Sequence, residues 1–591
     1  MKRLAVVLLA SCTGSVGELP SPTPPPTWGV PISGGNLLVT RDGSRAVIAD
    51  PDRDRVMLVQ LANGTTTELP LPARSEPGRL VEDGAGRVHI ALRGSGQLLT
   101  LTDSGSEQRA VCPEPRGVAY DAASDLVHVA CTTGELVSLP AAGGPAVRTL
   151  HLDRDLRDVV VRGSDLVVTR FRSAELLTID ASGAITTRTT PPLVHRLDIV
   201  GGGELTPPNI PPTKSDAPPT VAWRTIALPD GRIVMSHQRK RSKELQVTGG
   251  GYVDTECGDG MIESAITLQR PDGTLSAVSP ILHGALPVDV AANAAGTELA
   301  FVTAGPQRVA VVSASALDSH DDDECGDDQD DNVSARLLGD DLGTPTSVAY
   351  APDGTLAIYY PELPALVIHT SPASADSART IRLPGPLGYD SGRALFHRQT
   401  NAALACASCH PEGRDDGQVW DFVAGPRRTQ NLSGGILARA PFHWNGDLPD
   451  LGTLMTTVFE QRMAAGATTH SERLSLGPWL DRIPAPRAAI TDAAAVARGQ
   501  ALFVAPEQAC ATCHMGESYT NNVLADVGTG GQFKVPSLIG IGARAPYMHD
   551  GCATTLRERF SAECGGGDSH GRIAHLTESQ ISDLIAYLES L

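Results

Sequence analysis

Two short stretches of the chain carry residue types that could do chemistry: Cys406-Ala407-Ser408-Cys409-His410 and Cys510-Ala511-Thr512-Cys513-His514. Each reads C-x-x-C-H, the attachment signature of c-type haem. The spacing has a chemical reason. Two thiols set two residues apart reach the two vinyl groups along one porphyrin edge, and the adjoining imidazole turns beneath the ring to hold the iron. A zinc site is the rival for a C-x-x-C pair, but it would want a second pair of ligands at similar spacing. The sequence therefore predicts two covalently attached haem c groups. Cys406 and Cys409 bind one and Cys510 and Cys513 the other, with His410 and His514 as proximal iron ligands.

The flanks of the two motifs repeat. Gly392-Arg393-Ala394-Leu395-Phe396 precedes the first as Gly499-Gln500-Ala501-Leu502-Phe503 precedes the second. Downstream, Ala438-Arg439-Ala440-Pro441-Phe442-His443-Trp444-Asn445-Gly446 returns as Ala543-Arg544-Ala545-Pro546-Tyr547-Met548-His549-Asp550-Gly551. The region is a tandem duplication of one small, mainly α-helical haem-binding unit, over residues 385–490 and 491–591. At the C-terminus Thr577 and Gln580 form a capping box. Ile581, Leu584, Ile585, Leu588 and Leu591 then share one helical face, long enough to close over a haem edge.

The remainder of the 591 residues must position and house these units. Residues 1–11 read as an export signal: Met1-Lys2-Arg3, then an apolar run far below the roughly 20 residues that span a bilayer. Leu9-Ala10-Ser11-Cys12 is similar to a bacterial lipobox, which implies cleavage before Cys12 and a lipid there; an ordinary signal cut later is the alternative. Residues 12–29 form a Pro/Ser/Thr-rich linker. The expected location is the periplasm or surface of a Gram-negative bacterium, with the lipid in the outer membrane. Besides Cys12 and the four haem cysteines, six of the 11 cysteines remain. Locality favours Cys112 with Cys131, Cys257 with Cys325 and Cys552 with Cys564, as suits an oxidising compartment. The net charge of -20 argues against nucleic acid and against anionic membrane surfaces as partners.

Residues 30–384 show almost no helical pattern. One strand type recurs at 45–50, 87–92, 126–131, 165–170, 232–236, 298–303 and 355–360, each followed by a second strand. The first four copies fall about 40 residues apart, the length of a four-stranded propeller blade, and later copies are stretched by insertions. Seven copies predict a seven-bladed all-β propeller, whose closed ring leaves no sheet edge exposed. Three insertions read as solvated loops: the Pro-rich 207–219, the basic 237–243 and the acidic 318–331. Alternating aspartates in the last could offer calcium hard oxygen ligands, but the D-x-D-x-D-G register is missing, so no metal site is expected.

From about residue 385 the chain resembles the bacterial di-haem cytochrome c peroxidase and MauG-like family. The resemblance rests on the two C-x-x-C-H motifs, Phe442-x-Trp444-x-Gly446, Lys534-Val535-Pro536-Ser537-Leu538, Pro546-Tyr547-Met548-His549-Asp550-Gly551 and the closing helix. It implies that a small donor protein such as a cytochrome c feeds electrons to the C-terminal haem, and that these pass to the N-terminal haem, where hydrogen peroxide is reduced to water. It also implies a tryptophan between the haems at Trp444 and an acidic residue over the peroxide site at Glu460 or Gln461. A carboxylate there could move a proton between the peroxide oxygens.

The axial ligands depart from that family. The methionine it carries beyond His-Asp-Gly is Glu563 here, and no methionine follows Met548. Candidate sixth ligands of the second haem are His570, His549, His575 and Met548, with His570 favoured. On the first haem His443 ligates reversibly or the iron is open. The leading expectation is a peroxidase; the alternatives are MauG-like oxidation of a partner protein and a non-catalytic electron carrier with a propeller binding module.

Overall fold

In a computed structural model of the protein the described residues are 29–198, 213–253, 260–278, 284–318, 335–339, 341–371, 378–488 and 492–591. Cys12, the acidic run from 319 and the pairing of Cys257 with Cys325 lie outside them. Cys112–Cys131 and Cys552–Cys564 are disulfides.

The sequence repeat is a ring of blades. Seven four-stranded antiparallel sheets occur among the described residues, each built from consecutive strands. The recurring strand is the second of each blade, as in Arg45–Asp50, Leu126–Cys131, Asp165–Arg170 and Glu298–Thr303. These strands are buried on both faces because each blade packs against two neighbours, so they read as continuous apolar runs. Ile48 and Met57 of the first blade pack with Tyr359 and Leu366 of the last, which closes the ring. Asn36 N–H donates to Ser347 Oγ at 2.9 Å across the same joint. Among the described residues no strand from the far end completes the first blade, so side-chain packing and contacts such as Arg55 donating to Pro384 O at 2.7 Å make the closure. Turns between strands follow the Asp-Gly signals: at Gly354, φ is 88° and Asp353 Oδ1 accepts from Thr355 N–H at 2.9 Å.

Two of the loop expectations are corrected. Residues 237–240 belong to the strand Ile233–Lys240 of the fifth blade, and His237, Arg239 and Arg241 are buried. Polar partners meet them inside: His237 Nε2 lies 2.8 Å from Thr267 Oγ1 and Arg239 donates to Pro192 O at 2.8 Å. Within 207–219, Thr213–Ala217 is a strand paired with Val194–Asp198.

Residues after 384 carry short helices: Ser391–His397, Cys406–Cys409, His470–Asp481, Ala493–Val504, Cys510–Cys513 and Glu578–Glu589 are the ones that matter here. The Thr577 and Gln580 capping box is present, and Ile581, Leu584 and Leu588 are buried. No helix among the described residues is long and apolar enough to cross a membrane. This helical region shares one apolar core with the propeller: Phe396, Met455 and Trp479 pack in the cluster that holds Trp223, Val288 and Ile358. Burying side chains of this size contributes about 2 to 3 kcal/mol each.

Ion pairs reinforce the joint. Glu412, two residues after the first motif, enters the propeller channel and meets arginines from three blades. Arg116 lies at 2.6 Å, Arg157 at 2.7 Å and Arg93 at 3.7 Å. Burial alone would raise its carboxyl pKa, but the arginines, Arg116 foremost, hold it well below the usual range. Glu412 takes a left-handed backbone, φ 55°, which costs a non-glycine residue about 1 kcal/mol and is held by these contacts.

Candidate functional site

Each C-x-x-C forms one turn of helix, Cys406–Cys409 and Cys510–Cys513. Positions three apart on a helix share a face, so both thiols of each pair point the same way. The histidine that follows leaves the helix, and its Nδ1–H donates to a backbone carbonyl: His410 to Arg414 O and His514 to Tyr519 O, both at 3.1 Å. That bond fixes the tautomer and leaves Nε2 as the free ligand atom.

Each motif borders a cavity, of about 420 Å³ for the first and about 390 Å³ for the second. The walls are apolar: Phe396, Phe442, Met455 and Phe459 in one, Phe503, Leu538, Tyr547 and Leu556 in the other. The two cavities share Arg428, Trp444, Lys534, Pro536 and Arg544 as a common wall. Arg428, Arg544 and Lys534 are buried there, and Arg439 lines the first cavity beside them. Burial, above all, pushes Lys534 down to about 8, Arg544 to about 9 and Arg439 to about 10. The Nε atoms of all three arginines have no hydrogen-bond partner. Buried cations with spare donors around an apolar slot fit a planar hydrophobic group with carboxylates on one edge. That is the chemistry of haem with its propionates, so thiols, imidazoles, cavities and cations all suit it.

The candidate sixth ligands separate. His570 faces His514 across the second cavity, with ring centroids 6.3 Å apart and planes 31° from parallel. Metal–imidazole bonds of about 2.0–2.1 Å, plus about 1.2 Å from nitrogen to ring centre, put two axial imidazoles about 6.4 Å apart. His549 instead stacks on Phe533, centroids 3.7 Å apart, and meets Trp444 edge-on in the shared wall. His575 Nε2 turns to Gln508 at 3.1 Å and does not border the cavity. Met548 lines the second cavity and His443 the first, both at the same left-handed backbone position of the repeat, φ 72° and 66°. Among the described residues no second imidazole faces His410 at the spacing of His514 and His570.

Trp444 borders both cavities and is fixed by its Nε1–H, which donates to Arg428 O at 2.7 Å. Glu460 and Gln461 are corrected: neither lines the first cavity. Residues Met455–Arg462 wind as a π-helix, which changes the faces that the residues present. Val458, Phe459 and Arg462 look into the cavity, while the Glu460 carboxylate accepts from Thr468 N–H at 2.8 Å and from Arg473 at 3.0 Å. Gln461 is exposed. Sequence reasoning also missed Arg439 and Arg544 as cavity residues, although they stand at matching places in the duplicated block, a signal that could have found them.

Comparison with known proteins bears on part of this. Residues 496–591 match the cytochrome c family. The gamma subunit of hydrazine synthase from Kuenenia stuttgartiensis is 27% identical over 16% of this chain and 40% of its own length, so the chain spans less than half of that relative. Two solved structures are similar at a low level. A hydrazine synthase chain from Kuenenia stuttgartiensis is 17% identical, with a TM-score of 0.44 over 60% of this chain and 97% of that one. A virginiamycin B lyase from Staphylococcus aureus is 14% identical, with a TM-score of 0.39 over 55% and 92%. Neither likeness is close enough to carry an argument. The chain is thus a seven-bladed propeller followed by a helical region with a C-terminal cytochrome c domain, which implies covalently bound haem c and electron transfer.

Proposed function

We propose that the chain is an exported c-type haem oxidoreductase with two haems, one at each motif, that reduces hydrogen peroxide with electrons from a small donor protein such as a cytochrome c. The observation that carries this reading is the asymmetry of the two cavities: His570 faces His514, and among the described residues no imidazole faces His410 in the same way. A site closed on both faces suits electron transfer, and a site held from one face leaves room for a small ligand. Bound haem supplies the one-electron chemistry that side chains lack.

The chain's own residues divide the remaining work. His410 and His514 present Nε2 with Nδ1–H anchored on a carbonyl. Trp444 fills the wall between the sites with a polarisable ring. The buried cations Arg428, Lys534 and Arg544 balance negative charge brought in at that wall. Each peroxide takes two electrons and two protons to give two waters, and the protons need polar side chains at the first cavity. Export, lipid attachment at Cys12 and an outer-membrane location belong to the same proposal.

The partial likeness to a hydrazine synthase subunit favours one second reading, in which the ligand is a small nitrogen compound and the chain works in a larger assembly. Electron paramagnetic resonance of the purified protein, oxidised and half-reduced, tests the asymmetry. One high-spin iron together with peroxide consumption supports the proposal. Two low-spin irons in both states with no turnover would make the protein an electron carrier, and turnover of nitrogen compounds alone would favour the second reading.

A further inference from the structure

The fifth blade does more than complete the ring. After its strand Ile233–Lys240 the chain leaves the propeller, and residues 245–252 lie on the helical region. Leu245 N–H donates to Asp421 O at 2.7 Å, Gly250 N–H to Gln461 O at 2.8 Å and Tyr252 N–H to Arg462 O at 3.1 Å. These bonds set Tyr252 into the wall of the first cavity, together with Arg462, Asp447 and His443.

The four side chains form a connected polar edge on an otherwise apolar slot. Tyr252, Arg462, Asp447 and His443 stand together on the cavity wall, Tyr252 and Asp447 each lie within the field of the Arg462 guanidinium, and His443 Nδ1 is 3.3 Å from Asp447 Oδ1. Arg462 keeps its buried Nε without a partner. Burial raises the Tyr252 pKa, so the phenol stays a proton-bearing donor across the neutral range. The three backbone bonds are enough to pin the insertion, whereas an unpartnered guanidinium donor on an apolar wall costs about 1 to 3 kcal/mol, which an acceptor atom of a bound ligand would offset.

We infer that Tyr252 and Arg462 are the recognition site for the small ligand of the first cavity, so that the propeller contributes a substrate-contacting residue. The ligand class is a small inorganic species with an acceptor atom that carries or develops negative charge, of which hydroperoxide is the member called for here. This inference rests on the proposed function, since it takes the first site to be the one open to ligand.

Azide and imidazole, titrated into the oxidised full-length holoprotein and followed by absorbance, test it. Azide is anionic and accepts hydrogen bonds; imidazole binds without needing a donor. Tyr252→Phe and Arg462→Gln are each expected to weaken azide binding about tenfold or more, the worth of a hydrogen bond to a charged group, while imidazole binding stays within about twofold. Unchanged azide affinity in both variants overturns the inference alone. Equal weakening of azide and imidazole also overturns it, by showing that the residues only shape the cavity. If the native protein binds neither ligand, the open-site reading fails and this inference with it.

Discussion

Glu412 meets Arg157 at 2.7 Å, a pair that joins positions 255 apart and ties the loop of the first C-x-x-C-H motif to the channel of the propeller. Arg116 and Arg93 complete the contact, so one carboxylate balances the inner strands of neighbouring blades.

Glu412→Gln therefore takes from Arg157 its ion-pair partner and leaves Arg116 and Arg93 to Glu114 and Glu76. The expected cost is about 3 to 5 kcal/mol, concentrated on docking rather than on the blades. Denaturant titration should show the helical region leaving first, with the propeller's midpoint unmoved. A single transition displaced as a whole would mean that the two parts unfold together.

The same joint responds to acid. Glu114 is buried, which would raise its pKa, but Arg414 and Arg116 outweigh this and hold it at about 2. A folded value below the ordinary one of 4.5 stabilises the folded state above that pH, and the contribution disappears as pH falls toward 2. The stability difference between native protein and Glu114→Gln, measured by denaturant titration across pH, should stay level above about pH 5 and shrink toward zero in strong acid.

His570→Ala should open the second site. A low-spin ferric signal is expected to give way to a high-spin one, and added imidazole should restore it. Were His570 not a ligand, the spectrum would survive the change. Haem content measured on the same sample checks that attachment is intact.

Glu460→Gln should leave peroxide consumption in place, because the carboxylate is turned from the cavity to Thr468 and Arg473. Its loss is structural, about 1 kcal/mol from a weakened hydrogen-bond set, visible as a small fall in Tm. A collapse of turnover with stability unchanged would restore the role that the family resemblance gave it.

Much of the frame was legible before the structure. The blade repeat showed because every second strand is buried on both faces and so carries an unbroken apolar run, as at Leu126–Cys131. The motifs and their duplication showed because attachment chemistry and helix geometry fix spacing locally. The closing helix showed through its cap and its apolar face. What failed depended on other things. The run at 237–241 looked like a solvated basic loop because nothing local reveals that Thr267 of the same blade and the carbonyls of Pro192 and Ala217 meet His237 and Arg239. Glu460 and Gln461 were placed by the family resemblance, and a π-helical turn changes which residues of that stretch point at the cavity. Glu412 gave no signal at all, since its three arginines lie on or just after strands, where arginine is unremarkable until the ring closes around it.

The first motif is sealed in a way the second is not. Ala407 and Ser408 are fully buried, and Gln238 of the fifth blade donates to Ser408 O at 3.2 Å, whereas Thr512 and Met515 of the second motif face solvent. If haem is joined to Cys406 and Cys409 as proposed, the enzyme that joins it has to reach a turn whose Ala407 and Ser408 are covered once this surface has met the propeller. On that reading the order at this site is fixed: thioether formation on an open chain comes first, and docking onto the propeller, which is translated earlier, follows.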